Sequence, residues 1–121
     1  AQTPDNRAMV QDAQRAITLV RSKAKDLGID PTRVGMLGFS AGGHLTVCTA
    51  LTKERVYDKT DDADAKFGHV PNFCVLVYPA YLTDKGGALK AEFVVNKESP
   101  TMFFAHSTDD PVTSEGSVAL Y

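Results

Sequence analysis

The sequence predicts an α/β fold in which a small parallel sheet is flanked by helices. Three apolar runs have the length of buried strands, at residues 33–39, 73–78 and 101–106. Helical periodicity or helix-start signals occupy the stretches 9–27, 41–53 and 113–121. Neither an internal repeat nor a low-complexity linker interrupts this alternation, so we interpret residues 1–121 as a single domain.

The first helix is predicted from apolar residues that recur at spacings of three and four. They are Met9, Val10, Ala13, Ala16, Ile17, Val20, Ala24 and Leu27. Asp5 or Asn6 is suited to cap the start of this helix, and Gly28 is suited to a left-handed stop at its end. The turn that follows leads into the first predicted strand.

Loops and glycines organise the rest of the chain. Gly42 and Gly43 lie in the first turn of the helix at 41–53, and we expect them to allow a close approach to the sheet. The polar stretch 54–69 contains four aspartates, and we interpret it as a solvated surface excursion rather than a cation site. Residues 81–99 are a long connection with room for one short helix.

One face of the predicted sheet has no obvious cover. If the three strands lie in sequential order, right-handed crossovers place the connecting helices on the same face. Strands of the buried type do not stay uncovered in water. We therefore expect the missing cover to come from sequence beyond these residues or from self-association through the uncovered face, unless the fold is less regular than this arrangement.

The composition excludes several classes of function. With 43% hydrophobic and 23% charged residues and a formal net charge of -2, the chain has the balance of a soluble globular domain and no reason to bind nucleic acid. No apolar run is long enough to span a membrane. Cys48 and Cys74 have no metal-ligand spacing, and we expect both to be unpaired small hydrophobes in a helix and a strand.

The pentapeptide Gly38-Phe39-Ser40-Ala41-Gly42 lies where a predicted strand meets a predicted helix. A G-x-S-x-G sequence in this context is typical of a nucleophile elbow, in which a tight turn holds the serine hydroxyl above the sheet. The N–H groups that begin the helix are placed to stabilise an oxyanion. Ser40 is therefore the candidate nucleophile for acyl transfer.

A candidate acid follows the third predicted strand. The segment His106-Ser107-Thr108-Asp109-Asp110-Pro111-Val112 lies at a carboxyl end of the sheet, the edge where open α/β sheets place their sites. An aspartate there can orient a histidine that contacts Ser40. The chain order of serine before aspartate is that of the α/β-hydrolases.

Three segments together carry a family resemblance: G-I-D-P-T-R-V leading into G-F-S-A-G-G-H-L at 28–45, V-Y-P-A-Y-L at 77–82, and P-T-M-F-F-A-H-S-T-D-D-P-V at 100–112. They resemble the α/β-hydrolase esterases, especially the acetylxylan-esterase-like and hormone-sensitive-lipase-like enzymes. The resemblance implies a partial α/β-hydrolase fold, which is a three-layer sandwich in the intact protein.

The resemblance also assigns roles. It implies Ser40 as nucleophile, the Ala41 N–H as part of the oxyanion hole and Asp110 as the triad acid, with Asp109 as the alternative acid. No metal or organic cofactor is implied. The implied substrate is a small acyl ester, with acetylated polysaccharide favoured, and the implied compartment is secreted or periplasmic.

The sequence departs from the family in two places. The H-G-G type loop upstream and the catalytic histidine downstream of the acid are both absent from the 121 residues. His44 is expected to point into the helix packing, His106 to be a hydrogen-bonded structural group and His69 to be an exposed surface residue. We therefore expect this chain alone to be inactive and to represent the middle and late portion of a hydrolase.

Two other functions remain open from the residues. A serine peptidase of the prolyl-oligopeptidase type shares the elbow, although no anionic pocket for a substrate amine is identifiable. A stably folded fragment or binding module without catalysis is the other alternative.

Overall fold

The computed structural model describes residues 6–121, which contain three strands and five helices. In chain order the elements are α1 (Arg7–Ser22), α2 (Ala24–Leu27), β1 (Gly35–Phe39), α3 (Ala41–Leu51), α4 (Asp62–Lys66), β2 (Phe73–Val77), β3 (Thr101–Ala105) and α5 (Glu115–Leu120).

The three strands form one parallel sheet in the order β1-β2-β3. Leu37 of β1 pairs with Val75 of β2, which pairs with Phe103 of β3. Helix α3 packs against β1 and β2, while α1 packs on α3 and α4. The predicted parallel sheet with flanking helices is confirmed, and sequential strand order places the carboxyl ends of all three strands at one edge.

The hydrophobic core lies between the sheet and its helices. Side chains from α3, β2, the connection before β3 and α5 form it: Val47, Ala50, Cys74, Leu76, Leu82, Phe93 and Leu120. Cys48 and Cys74 are both free thiols, as predicted. Burial raises the pKa of each to about 11, which leaves both protonated at neutral pH.

The opposite face of the sheet is uncovered in the described residues. Leu37 is 56% exposed and Phe103 is 63% exposed, and the strand register places both on the same face of the sheet. Phe39 and Phe73, on the same face, are also exposed. The expected bare face is present, so the strands are buried on one side only.

Helix α1 buries Val10 and Ile17 as predicted, but the rest of its buried face differs from the predicted apolar one. Its buried residues include Gln14 and Arg21, whereas Met9 and Val20 are exposed. Gln14 donates to the Glu54 carbonyl at 3.0 Å and accepts from the Val56 N–H at 2.9 Å. Polar side chains are buried here because they satisfy backbone groups of the 54–69 excursion, which periodicity alone does not reveal.

The ends of the first helical stretch follow local rules only in part. Gly28 has φ 66° and terminates α2 in the left-handed region, as predicted. The helix breaks at Lys23, so the predicted single helix is two. Asn6 precedes α1 but makes no side-chain cap, and its amide faces His44 instead. Asp5, the other predicted cap, lies outside the described residues.

The 54–69 excursion is not simply solvated. Asp61 caps α4 through the N–H groups of Ala63 and Asp64, and the carboxylate of Asp64 is buried. Asp64 Oδ1 accepts from Arg55 at 2.9 Å and from the Tyr57 hydroxyl at 2.7 Å. Burial alone would raise the pKa of Asp64, but hydrogen bonds from the Thr60 backbone and from Tyr57 hold that pKa well below its ordinary value. The prediction of a solvated face was wrong for Asp64.

Two smaller expectations need correction. Residues 81–99 contain no helix, and an antiparallel bridge between Thr83 and Leu89 organises them instead. Strand β1 begins at Gly35 because the Val34 N–H bonds to the Asn72 side chain at 3.0 Å rather than to a strand partner.

Within residues 6–121, no helix combines the length and apolar character that crossing a bilayer requires.

Candidate active site

Ser40 occupies the tight turn between β1 and α3. Its backbone has φ 50° and ψ -119°, a conformation that L-residues rarely adopt. The Ser40 N–H donates to the Val77 carbonyl at 3.1 Å, and the Ser40 carbonyl accepts from the Ala80 N–H at 3.0 Å. The end of β2 therefore holds the strained residue in place.

The Ser40 hydroxyl is not used to cap α3. A serine that precedes a helix commonly accepts a hydrogen bond from the first-turn N–H groups, but Ser40 makes no such bond. Capping requires an extended backbone at that residue, which φ 50° does not provide. The side chain is half-buried and remains available for chemistry.

Ala41 begins α3, a helix of 11 residues. Its N–H belongs to the first turn, where N–H groups have no partner within the helix. The helix dipole adds positive potential at the same point. An oxyanion formed at Ser40 would therefore meet a favourable electrostatic environment.

Glycines allow this turn to be tight, but not all three contribute equally. A Cβ at Gly38 would overlap the Gly42 carbonyl, and a Cβ at Gly43 would lie 2.8 Å from Pro79 Cα. A Cβ at Gly42 would meet nothing within 4 Å. The close approach expected of Gly42 and Gly43 is therefore present at Gly43 but not at Gly42, and Gly38 is a further position where a side chain would not fit.

The candidate acids lie on the turn after β3. Asp110 is half-buried, and its Oδ1 accepts from the Val112 N–H at 2.8 Å. Asp109 is exposed, and a hydrogen bond from the Ser107 hydroxyl lowers its pKa. Ser40 and these aspartates follow strands separated by β2, at the same edge of the sheet.

His106 is engaged on both ring nitrogens. Its Nε2 donates to the Val112 carbonyl at 2.8 Å, and its Nδ1 accepts from the Ser117 hydroxyl at 2.7 Å. The imidazole therefore ties the acid turn to α5. This agrees with the structural role predicted for His106 and leaves no free nitrogen to serve as a base for Ser40.

His44 is buried, with 4% exposure, one helical turn after Ser40. Asn6 Nδ2 donates to its Nδ1 at 3.2 Å, and burial lowers its pKa, so the ring is neutral at pH 7. The rings of Tyr81 and Phe93 meet it edge-on at 5.9 Å and 5.8 Å. His44 therefore belongs to the packing, as predicted.

His69 lies away from the elbow. Its Nε2 donates to the Lys53 carbonyl at 2.9 Å, and the residue is half-buried rather than fully exposed as predicted. None of the three histidines is placed to accept the Ser40 proton.

Two tyrosines near Ser40 were not singled out by the sequence. Within residues 6–121, the non-glycine residues with positive φ are Ser40, Tyr78 at 38° and Tyr81 at 62°. All three lie at or just beyond the carboxyl ends of β1 and β2. The V-Y-P-A-Y-L motif marked this segment, but no sequence signal reports a positive φ at a tyrosine.

Known proteins share this arrangement. The model of the family described as BD-FAE matches residues 1–77. An acetylxylan esterase of Xylanibacter ruminicola is 30% identical over 115 residues, which cover 91% of this chain and 22% of that protein. The chain thus spans less than a quarter of that relative.

Solved structures give the same picture. An acetyl ester-xyloside bifunctional hydrolase from Caldicellulosiruptor lactoaceticus is 33% identical, with TM-score 0.72 over 92% of this chain and 48% of its own. The esterase Est2 of Thermogutta terrifontis is 26% identical, with TM-score 0.70 over 92% and 48%. Est2 has also been solved phosphonylated by sarin and with propionate or butyrate bound.

These relatives are hydrolases and esterases, and their folds contain the sheet, elbow helix and flanking helices described above. Because the family model covers well over half of the chain, including the whole Ser40 turn, this protein belongs to the BD-FAE family and carries part of an α/β-hydrolase fold.

Proposed function

We propose that this protein is a serine carboxylic-ester hydrolase that forms an acyl-enzyme on Ser40. The observation that carries the proposal is the backbone of Ser40, which is held at φ 50° between β1 and α3 while its hydroxyl makes no cap. Such strain in a non-glycine residue is concentrated at functional sites. The family membership and the esterase relatives agree with this chemistry.

The proposed reaction assigns one role to each group. Ser40 Oγ attacks the ester carbonyl, and its proton passes to a histidine. The Ala41 N–H stabilises the developing oxyanion, and Asp110 orients the histidine. The alcohol leaves with that proton, and water then releases the acid and restores Ser40.

Asp110 is preferred to Asp109 as the orienting acid. The Asp110 carboxylate is half-buried and held by the Val112 N–H, whereas Asp109 is exposed and bonded to Ser107. A partly buried, fixed carboxylate stabilises an imidazolium more strongly than one exposed to water. The histidine itself has to lie outside this chain, because His44, His69 and His106 are all committed elsewhere.

The proposed substrate is an ester of a small carboxylic acid, with acetylated carbohydrate favoured. The relatives support this choice through an acetylxylan esterase and an acetyl ester-xyloside hydrolase. Est2 with propionate or butyrate bound supports a short acyl group. Its phosphonylation by sarin supports an activated serine in that relative.

The test combines intact mass, active-site labelling and turnover. The purified protein is treated with a fluorophosphonate probe and assayed on p-nitrophenyl acetate, as wild type, Ser40→Ala and Ser99→Ala. Ser99 precedes β3 at the opposite edge of the sheet and serves as the matched serine control. We expect label and turnover to disappear only in Ser40→Ala, in a polypeptide heavier than 13.0 kDa.

Other outcomes select the alternatives. Faster Ser40-dependent cleavage of an Ala-Pro p-nitroanilide than of the ester would indicate a peptidase of the prolyl-oligopeptidase type. An ordered polypeptide heavier than 13.0 kDa that neither labels nor turns over would indicate a binding module and would refute the proposed function.

A further inference from the structure

Tyr81 combines backbone strain with an exposed aromatic ring close to the nucleophile. Its φ is 62°, and 60% of the residue is exposed to solvent. A left-handed conformation is unfavourable for a residue with a Cβ, and a large ring left in water gains nothing from burial. Within residues 6–121, folding alone therefore explains neither the strained backbone nor the open part of the ring.

The backbone on either side of Tyr81 fixes the strained conformation. Ala80 is buried, and its N–H donates to the Ser40 carbonyl at 3.0 Å. Leu82 is 1% exposed, and its carbonyl accepts from the Lys90 N–H at 3.0 Å. With both neighbours held, Tyr81 cannot relax, and its Cα lies one peptide unit from a residue bonded to the nucleophile.

The ring of Tyr81 is supported on one side and open on the other. It meets the buried His44 ring edge-to-face at 5.9 Å. His44 is itself held between Asn6 and Phe93, so the support is rigid. Tyr78, which is also strained, differs because it is half-buried and its ring contacts Phe39 at 5.9 Å.

We propose that Tyr81 is a specificity-determining residue whose open ring packs against the C–H surface of the bound ester beside Ser40. The proposal rests on the esterase function proposed above and adds a contact to it. Two parts of an ester present such a surface: an acyl chain, or the carbon face of a sugar ring in the alcohol. Aromatic side chains line small-molecule sites for this purpose.

Asparagine tests the ring without adding backbone strain, since it tolerates the left-handed region better than other residues with a Cβ. The variants are Tyr81→Asn, Tyr81→Phe and, as a second ring deletion, Tyr81→Gly. The control is Val94→Asn, which replaces a hydrophobic residue of similar exposure, 65%, on the same connection. All are made in the complete gene product that contains this sequence.

Three esters separate the two surfaces. Ethyl acetate is compared with ethyl butyrate to vary the acyl chain, and with acetylated methyl xyloside to vary the alcohol. We expect Tyr81→Asn and Tyr81→Gly to raise KM about tenfold for the ester that carries the packed surface, with kcat and the fluorophosphonate labelling of Ser40 little changed. A p-nitrophenyl acetate assay monitors Ser40 turnover in each variant. Tyr81→Phe and Val94→Asn should behave as wild type.

The selectivity between esters is the decisive readout. A loss confined to butyrate assigns the ring to the acyl chain, and a loss confined to the xyloside assigns it to the alcohol. Equal losses on all esters would mean that Tyr81 only supports the turn, and no loss would mean that the ring touches no substrate; either result overturns the inference. Hydrolysis that persists in Ser40→Ala would instead overturn the proposed function.

Discussion

Replacing Gly43 by alanine should destabilise the protein, although alanine is the better helix former. The new Cβ would lie 2.8 Å from Pro79 Cα and from Pro79 Cβ. Because carbon atoms pack best at about 3.5–4.0 Å, α3 and Pro79 would have to separate by about 0.7 Å. Pro79 is fully buried and cannot move freely.

The neighbouring glycine supplies the matched control. Gly42→Ala adds the same methyl group one residue earlier in α3, where nothing lies within 4 Å. Helix propensity favours alanine over glycine by roughly 0.5–1 kcal/mol at both positions. Overpacking against backbone costs about 1–3 kcal/mol at Gly43 alone. We therefore expect the free energy of unfolding of Gly43→Ala to be about 1–2 kcal/mol lower than that of wild type, and that of Gly42→Ala to equal or slightly exceed the wild-type value.

Urea unfolding followed by circular dichroism measures both differences in the free energy of unfolding. Equal m-values would show that the same surface is exposed in each variant. If the free energies of unfolding of Gly43→Ala and Gly42→Ala agree within about 0.5 kcal/mol, the close packing of α3 on Pro79 is not the reason that position 43 requires glycine, and the reasoning fails.

Three further outcomes can be measured directly. The 121-residue polypeptide should self-associate through its bare sheet face, so light scattering should show a smaller species for Phe103→Lys but not for Val118→Lys, which changes a residue of comparable exposure on α5. The pKa of Asp61 is lowered to about 2, chiefly by its bond to Arg15. Its contribution to stability is therefore present above an unfolded pKa of about 3.9 and is lost as pH falls through about 2. In a plot of the urea midpoint against pH, Asp61→Asn should reduce the decrease over this acid range, while Asp62→Asn, at a solvated position, should not. Finally, His106→Asn should slow fluorophosphonate labelling of the complete gene product by roughly tenfold to a hundredfold, because the turn that carries Asp110 loses its hydrogen bond to His106. An unchanged labelling rate would show that this turn does not take part in the reaction of Ser40.

Elements that depend on local sequence were predictable. Apolar runs located all three strands, Gly28 ended the first helical stretch and G-x-S-x-G located the strand-turn-helix junction. Each signal acts over a few residues, so it survives without knowledge of the rest of the fold. Strand order together with the handedness of crossovers also predicted correctly that one face of the sheet is uncovered in the described residues.

Features that depend on distant partners were not predictable. Gln14 and Arg21 are buried because backbone groups around residues 54–72 need donors and acceptors. Asp64 is buried because Arg55 and Tyr57 converge on it. In each case the buried polar side chain is stable only because it is hydrogen-bonded, either to groups tens of residues away or within a loop that has no periodic pattern. A helical wheel shows neither kind of partner.

The conformation of the proposed nucleophile, Ser40, and its reactivity have different origins in this molecule. The bonds that hold Ser40, from its N–H to Val77 and from Ala80 to its carbonyl, both lie within the described residues. The strained turn therefore does not depend on the half of the solved relatives that this chain does not span. Reactivity does depend on a proton acceptor, since loss of triad members costs on the order of 10⁴ to 10⁶ in turnover and all three histidines here are committed to other contacts. A correctly shaped but slow nucleophile is the expected property of these 121 residues by themselves, and a histidine brought next to Ser40 would change its rate without having to change its backbone.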